Sequence, residues 1–153
     1  MTDLLKTILR ARRSGLLRLR PAATPMRLNC IGGACGLCCR VMGDAIQVEP
    51  AEVVALPPDS VFAVGKVILL KSIKGACAQL KDNTCTCYGS RPRGCQEYPW
   101  YTIGGRLHYD KGCPGLLFDR DERPDPKSLR ELAEYLPSRP WIQAALKVIF
   151  RTW

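Results

Sequence analysis

The sequence predicts an α+β fold: a small, irregular, cysteine-rich, metal-centred domain with short β-hairpins, flanked by N- and C-terminal helices. Three observations lead there. All nine cysteines of the 153-residue chain lie between Cys30 and Cys113. That stretch is punctuated by glycines and two-residue turn signals, which favour hairpins over long elements. The stretches on either side carry apolar residues at helical spacing instead. Domain boundaries follow the same changes of character: a basic amphipathic arm over residues 1–27, the cysteine domain over 28–116 and a helical segment over 117–153.

In the arm, Leu4, Leu5, Ile8 and Leu9 fall at helical spacing beside Lys6, Arg10, Arg12 and Arg13, which predicts an amphipathic helix over residues 1–20. Gly15 interrupts it, and Pro21 and Pro25 mark a linker. Residues 1–29 hold seven Lys/Arg and one Asp, so +6 of the chain's net +9 belongs to this end. Such a helix suits an anionic membrane surface or an acidic protein, and packing on its own domain is the plain alternative. Since the rest of the chain carries only +3, the high overall charge is weak support for nucleic-acid binding by the cysteine domain.

Within the domain, Cys30 to Gly43 combines four cysteines with Gly32, Gly33, Gly36 and Gly43, residues that let backbone wrap closely around an ion. Ile46–Val48 reads as a short strand, Pro50 opens a helix to about Leu56, and Val67–Ile73 reads as a buried strand. Asp82-Asn83 is a turn that folds Cys77 and Cys85 toward one end. Gly104-Gly105 joins Trp100–Ile103 to Arg106–Tyr109 as a hairpin, with His108 as an ordinary strand residue. Carrying that pairing backward sets Cys95 opposite Cys113. Beyond the domain, Asp119, Asp121, Glu122 and Asp125 lie with Pro124 and Pro126 in a solvated loop. Leu129, Leu132, Ala133 and Leu136 then mark a helix, and Pro140 opens another with an apolar face of Trp141, Ile142, Leu146, Ile149 and Phe150.

No apolar run approaches the roughly 18 residues of a membrane span, and the N-terminus lacks the unbroken apolar stretch of a secretory signal. The expected location is therefore the cytoplasm, or an organelle if the Arg-rich start is a transit peptide. In a reducing compartment clustered cysteines point to metal or redox chemistry rather than disulfides, and an odd number cannot all pair within the chain. Cys35-x2-Cys38 is a metal knuckle, two thiolates converging across a tight turn. Adjacent Cys38 and Cys39 point apart, so they serve two metals, or one ligates while the other packs. With His108 the only histidine, any site is nearly all sulfur, which selects zinc or iron–sulfur over magnesium, calcium or manganese and leaves those two open.

Four segments taken together carry a resemblance: Cys30-x4-Cys35-Gly-Leu-Cys38-Cys39; Cys77-Ala-Gln-Leu; Cys85-Thr-Cys-Tyr88-Gly-Ser-Arg91-Pro92-Arg-Gly-Cys95 with Tyr98-Pro99; and Cys113-Pro-Gly. They resemble the YkgJ-type cysteine-cluster family of zinc- or iron-chelating proteins over residues 28–116. The resemblance implies Cys30, Cys35, Cys38, Cys39, Cys77, Cys85, Cys95 and Cys113 as metal ligands, with zinc or iron, or an iron–sulfur cluster, as the bound group. Cys30 stands further from Cys35 than the family pattern places it. Cys87 occupies a position the family fills with an apolar residue, so it is the surplus, dispensable cysteine. Arg91 and Arg93 would offset the negative charge of a thiolate cluster.

Metal binding is thus the leading function. A role as an enzyme or accessory in post-translational modification is the first alternative, because flagellin lysine methylases carry a similar cysteine pattern. A zinc-stabilised nucleic-acid-binding module is the second, disfavoured because the cysteine domain has no zinc-finger helix with His ligands. The chain has no Gly-rich nucleotide loop and no His-Glu-x-x-His.

Overall fold

The computed structural model describes residues 18–31, 35–41 and 46–135. They form two compact units, residues 29–98 and residues 18–28 with 99–135. Among the described residues both units consist of short antiparallel strands and 3-10 turns, and the first also has two five-residue helices.

The first unit begins with α1 (Leu37–Val41) and a strand β3 (Gln47–Val48), numbered after two strands of the other unit, β1 (Leu19–Pro21) and β2 (Arg27–Leu28). Three hairpins follow in tandem: β4 (Val61–Val64) with β5 (Val67–Leu70), β6 (Ser72–Ile73) with β7 (Ala76–Cys77), and β8 (Leu80–Lys81) with β9 (Thr84–Cys85). β3 pairs with the other edge of β5. The turn chemistry explains each reversal. Asp82 and Asn83 both adopt positive φ, 47° and 62°, as do Lys74 and Gly75, 51° and 83°. A type I′ turn demands positive φ at both central residues, and its twist matches the flanking strands. At Gly65-Lys66 only Gly65 has positive φ, 61°, which is the habit of a type II′ turn. Glu49 and Glu52 form a capping box on the 3-10 turn Pro50–Ala55. The other oxygen of Glu52 accepts from the Arg93 N–H at 2.7 Å and so fixes the start of α2 (Arg93–Glu97). Ile46, Val48, Leu56, Leu70, Cys77 and Cys87 make the core, with Cys39, Cys85 and Cys95 packed against it.

The second unit is a sheet in the order β1, β11 (Arg106–Asp110), β10 (Trp100–Ile103), beside a two-stranded ribbon of β2 and β12 (Leu116–Leu117). Gly104 and Gly105, at φ 58° and 75°, make the β10–β11 turn as expected. Ala22, Met26 and Trp100 form its core, with Leu28, Leu107, Tyr109, Leu116 and Leu129 around them. Asp119 pairs with Arg27, and Asp121 with Arg123, so the acidic loop is a set of ion pairs. His108 is a buried strand residue whose Nδ1 lies 3.0 Å from the Arg106 carbonyl, and burial lowers its pKa.

The expectation of flanking helices is corrected where the chain is described. Leu19–Pro21 is a strand rather than the end of a helix, because Leu19, Arg20 and Pro21 pair with Asp110, Tyr109 and His108. Leu19 is buried there, and Pro21 sits at the strand end, where a missing N–H is tolerated. On the C-terminal side, Pro126–Ser128 and Leu132–Tyr135 are single 3-10 turns. Glu131 bridges to Thr102 and accepts from the Gly104 N–H, tying this stretch to the sheet. The amphipathic segment at 1–17 and the final helix at 140–153 lie outside the described residues. Among the described residues no helix is long and apolar enough to cross a membrane.

The backward extension of the β10–β11 pairing also needs correction. The ladder ends at Trp100 opposite Tyr109, with one further bond from the Asp110 N–H to the Pro99 carbonyl at 2.9 Å. Pro92 precedes α2, which holds Cys95 on a helix rather than a strand.

Candidate metal centre

The sulfur atoms of the first unit converge because three separate devices deliver them. α1 carries Cys38 and Cys39 on one short turn of helix and packs on β7, which ends in Cys77. The Asp82-Asn83 hairpin places Cys85 opposite Leu80 and leads on to Cys87. α2, anchored through Glu52, carries Cys95. Cys77 and Cys87 are buried, and Cys38, Cys39, Cys85 and Cys95 are half-buried.

Cys39 is the common neighbour of Cys38 and Cys77. The Cys39 thiol beside it lowers the Cys38 pKa to about 6, with Arg91 helping, and the same neighbour is the main reason that Cys77 falls to about 6. Cys39 itself is pushed strongly upward. Lowered pKa values favour the thiolate, which is the form that binds a metal. Cys87 is pushed up to about 12, chiefly by burial, and Cys95 is also raised by burial. Cys85 Sγ and Cys87 Sγ lie 3.8 Å apart. Among the described residues no three His, Cys, Asp or Glu side chains already stand as a closed ion cage. Cys85 and Cys87 meet through an S–H···S contact, and ligation would set sulfurs about 2.3 Å from a metal.

Cys30 is exposed and takes the Tyr88 hydroxyl proton bond at 3.3 Å. Arg91 stacks over the Tyr88 ring, 3.6 Å from its centre, and its Nε donates to the Tyr88 carbonyl at 2.9 Å. The specific Tyr88-x2-Arg91-Pro92 string is thus a brace that sets a guanidinium beside Cys38 and a phenol on Cys30. The Cys30 sulfur raises the Tyr88 pKa. Cys35 is half-buried at the start of the knuckle. Cys113 is the only cysteine of the second unit, in a turn closed by its N–H on the Asp110 carbonyl at 3.1 Å.

A model of the CxxCxxCC family, described as "Putative zinc- or iron-chelating domain", matches residues 29–114, more than half of the 153-residue chain. The chain belongs to the CxxCxxCC family. It is a metal-binding cysteine-cluster domain of the zinc- or iron-chelating kind, as the resemblance read from the sequence implied. No curated protein and no solved structure matches it. The spacing in the family's name is met by Cys35-x2-Cys38-Cys39, whereas Cys30 stands two residues further out than that pattern puts its first cysteine. The CxxCxxCC knuckle needs Gly36. Its φ is +60°, and an added Cβ would meet Leu80 Cδ1 at 2.7 Å and the Asn83 carbonyl oxygen at 2.9 Å. Gly36→Ala is therefore expected to cost about 2 kcal/mol from left-handed strain and overpacking together. Thermal melting measures it; an unchanged melting temperature would mean that the knuckle does not lie against the 82–83 turn.

Proposed function

We propose that the chain chelates zinc or iron through cysteine thiolates of its first unit, with Cys38, Cys39, Cys77, Cys85 and Cys95 at the centre. Cys30 and Cys35 join them as the further thiolates the family pattern supplies, and Cys113 enters on that pattern alone. The observation that carries this reading is the gathering of Cys39, Cys77, Cys85, Cys87 and Cys95 in one core cluster. Sulfur donors in that density suit soft or borderline ions and disfavour magnesium and calcium. Bound there, the metal would cross-link the three chain segments that carry these cysteines. The chain's own residues contribute the sulfur donors, the Arg91 charge that offsets them and the Glu52 anchor that holds α2 in place.

Cys39→Ser and Cys77→Ser, prepared without oxygen and measured by elemental analysis beside the wild type, test the reading. A hydroxyl is a poor replacement for a thiolate, so both are expected to lose most of the bound metal. Wild-type metal content in both variants would overturn it. Cys113→Ser in the same series shows whether the family pattern carries over at that position.

A further inference from the structure

Cys87 lies outside the ligand set that the family pattern supplies, and the arithmetic of four-thiolate sites leaves one cysteine over. Its surroundings suggest more than spare volume. Thr86 is pinned between Cys85 and Cys87: its N–H donates to the Gln79 carbonyl at 2.8 Å, and its hydroxyl donates to Gln79 Oε1 at 2.7 Å. Cys85 ends β9, and Cys87, at φ −112° and ψ 32°, opens the 3-10 turn Tyr88–Ser90. Their sulfurs stand 3.8 Å apart. Zn–S bonds of about 2.3 Å at tetrahedral angles set ligand sulfurs about 3.8 Å from each other. Cys87 is 7% exposed and lies in the same core cluster as Cys77, with Cys39, Cys85 and Cys95 packed against it.

We propose that Cys87 is a metal-holding thiolate peculiar to this chain, pairing with Cys85 as a Cys-x-Cys chelate on one zinc or iron ion. This rests on the chelation reading above. The ion is gripped by Cys85 at the end of β9 and Cys87 in the turn after it, and the remaining positions are filled from Cys39, Cys77 and Cys95 of the same cluster.

Cys87→Val and Cys87→Ser separate ligation from packing. Valine keeps the apolar volume and serine does not. If Cys87 ligates, both variants lose zinc affinity by about a hundredfold or more, beyond the 10- to 100-fold typical of residues behind the ligands. If Cys87 only packs, Cys87→Val binds zinc like the wild type, and the proposal is overturned. A direct readout in the full-length wild-type protein covers the case of a variant that fails to fold. Loaded with a spin-active cadmium isotope, the protein is expected to show scalar coupling from the metal to the Cys87 β-protons as well as to those of Cys85. Coupling to Cys85 without Cys87 overturns this inference and leaves the chelation reading standing. A wild type that binds neither zinc nor cadmium overturns both.

Discussion

Stripping the metal from the reduced, full-length chain with a strong chelator is expected to unfold the first unit while the second keeps its sheet. The first unit is built from strands of two to four residues, and among the described residues its fully buried aliphatic side chains are Ile46, Val48, Leu56 and Leu70, with Val53, Val61 and Ile68 partly buried against them. Structural zinc contributes roughly 10–16 kcal/mol in small cysteine sites. A whole domain is stable by only about 5–15 kcal/mol. The metal's contribution is thus as large as the stability it supports, and removing it also leaves neighbouring thiolates to repel one another. The second unit has a core of Ala22, Met26 and Trp100 that contains no cysteine. Amide signals of residues 61–70 are therefore expected to collapse to random-coil positions while those of residues 100–110 persist. Native signals from the β4–β5 hairpin in metal-free, reduced protein would contradict this.

The second large effect belongs to Arg18. Its Nε and Nη2 donate to Asp110 Oδ1 and Oδ2 at 2.9 and 2.8 Å, a bidentate fork. The Asp110 side chain is 2% exposed, whereas that of Arg18 is 34% exposed. Asp110 also accepts from the Gly112 N–H at 2.8 Å, so the carboxylate ties β1, β11 and the turn before Cys113 together. Arg18→Ala leaves a buried carboxylate without its guanidinium and is expected to cost about 3 kcal/mol. Asp110→Ala is expected to cost less, since the guanidinium left behind can reach water. Denaturant unfolding of the two variants measures both. A cost below about 1 kcal/mol for Arg18→Ala would place the pair among ordinary surface bridges.

Local chemistry was legible in the sequence, and long-range pairing was not. Asp82-Asn83 and Gly104-Gly105 announce their turns because positive φ is a property of the residues themselves. Val61–Val64 went unread as a strand, although Gly65 at the first turn position marks its hairpin with Val67–Leu70. The helical spacing of Leu4, Leu5, Ile8 and Leu9 extends in the sequence reading to residue 20, and the strand that decides the matter pairs Leu19 with Asp110, some 90 residues away. The cysteines divide in the same way. Their confinement to residues 30–113 and the Cys35-x2-Cys38 knuckle are visible by eye. That Cys39 comes beside Cys77 depends on β7 being carried to α1 by two successive hairpins, and no local pattern contains that. The Cys85-Thr-Cys87 spacing reads as two residues on one face of a strand, but β9 ends at Cys85 and Cys87 stands in the turn that follows.

The central claim is that cysteine thiolates of this chain hold zinc or iron. Elemental analysis of anaerobically purified wild-type protein, combined with a count of reactive thiols before and after chelation, tests it most directly. The account predicts zinc or iron at a fixed ratio to protein and thiols that become reactive only when the metal is withdrawn. Protein that contains neither metal, or whose thiols react equally well before and after chelation, would contradict it.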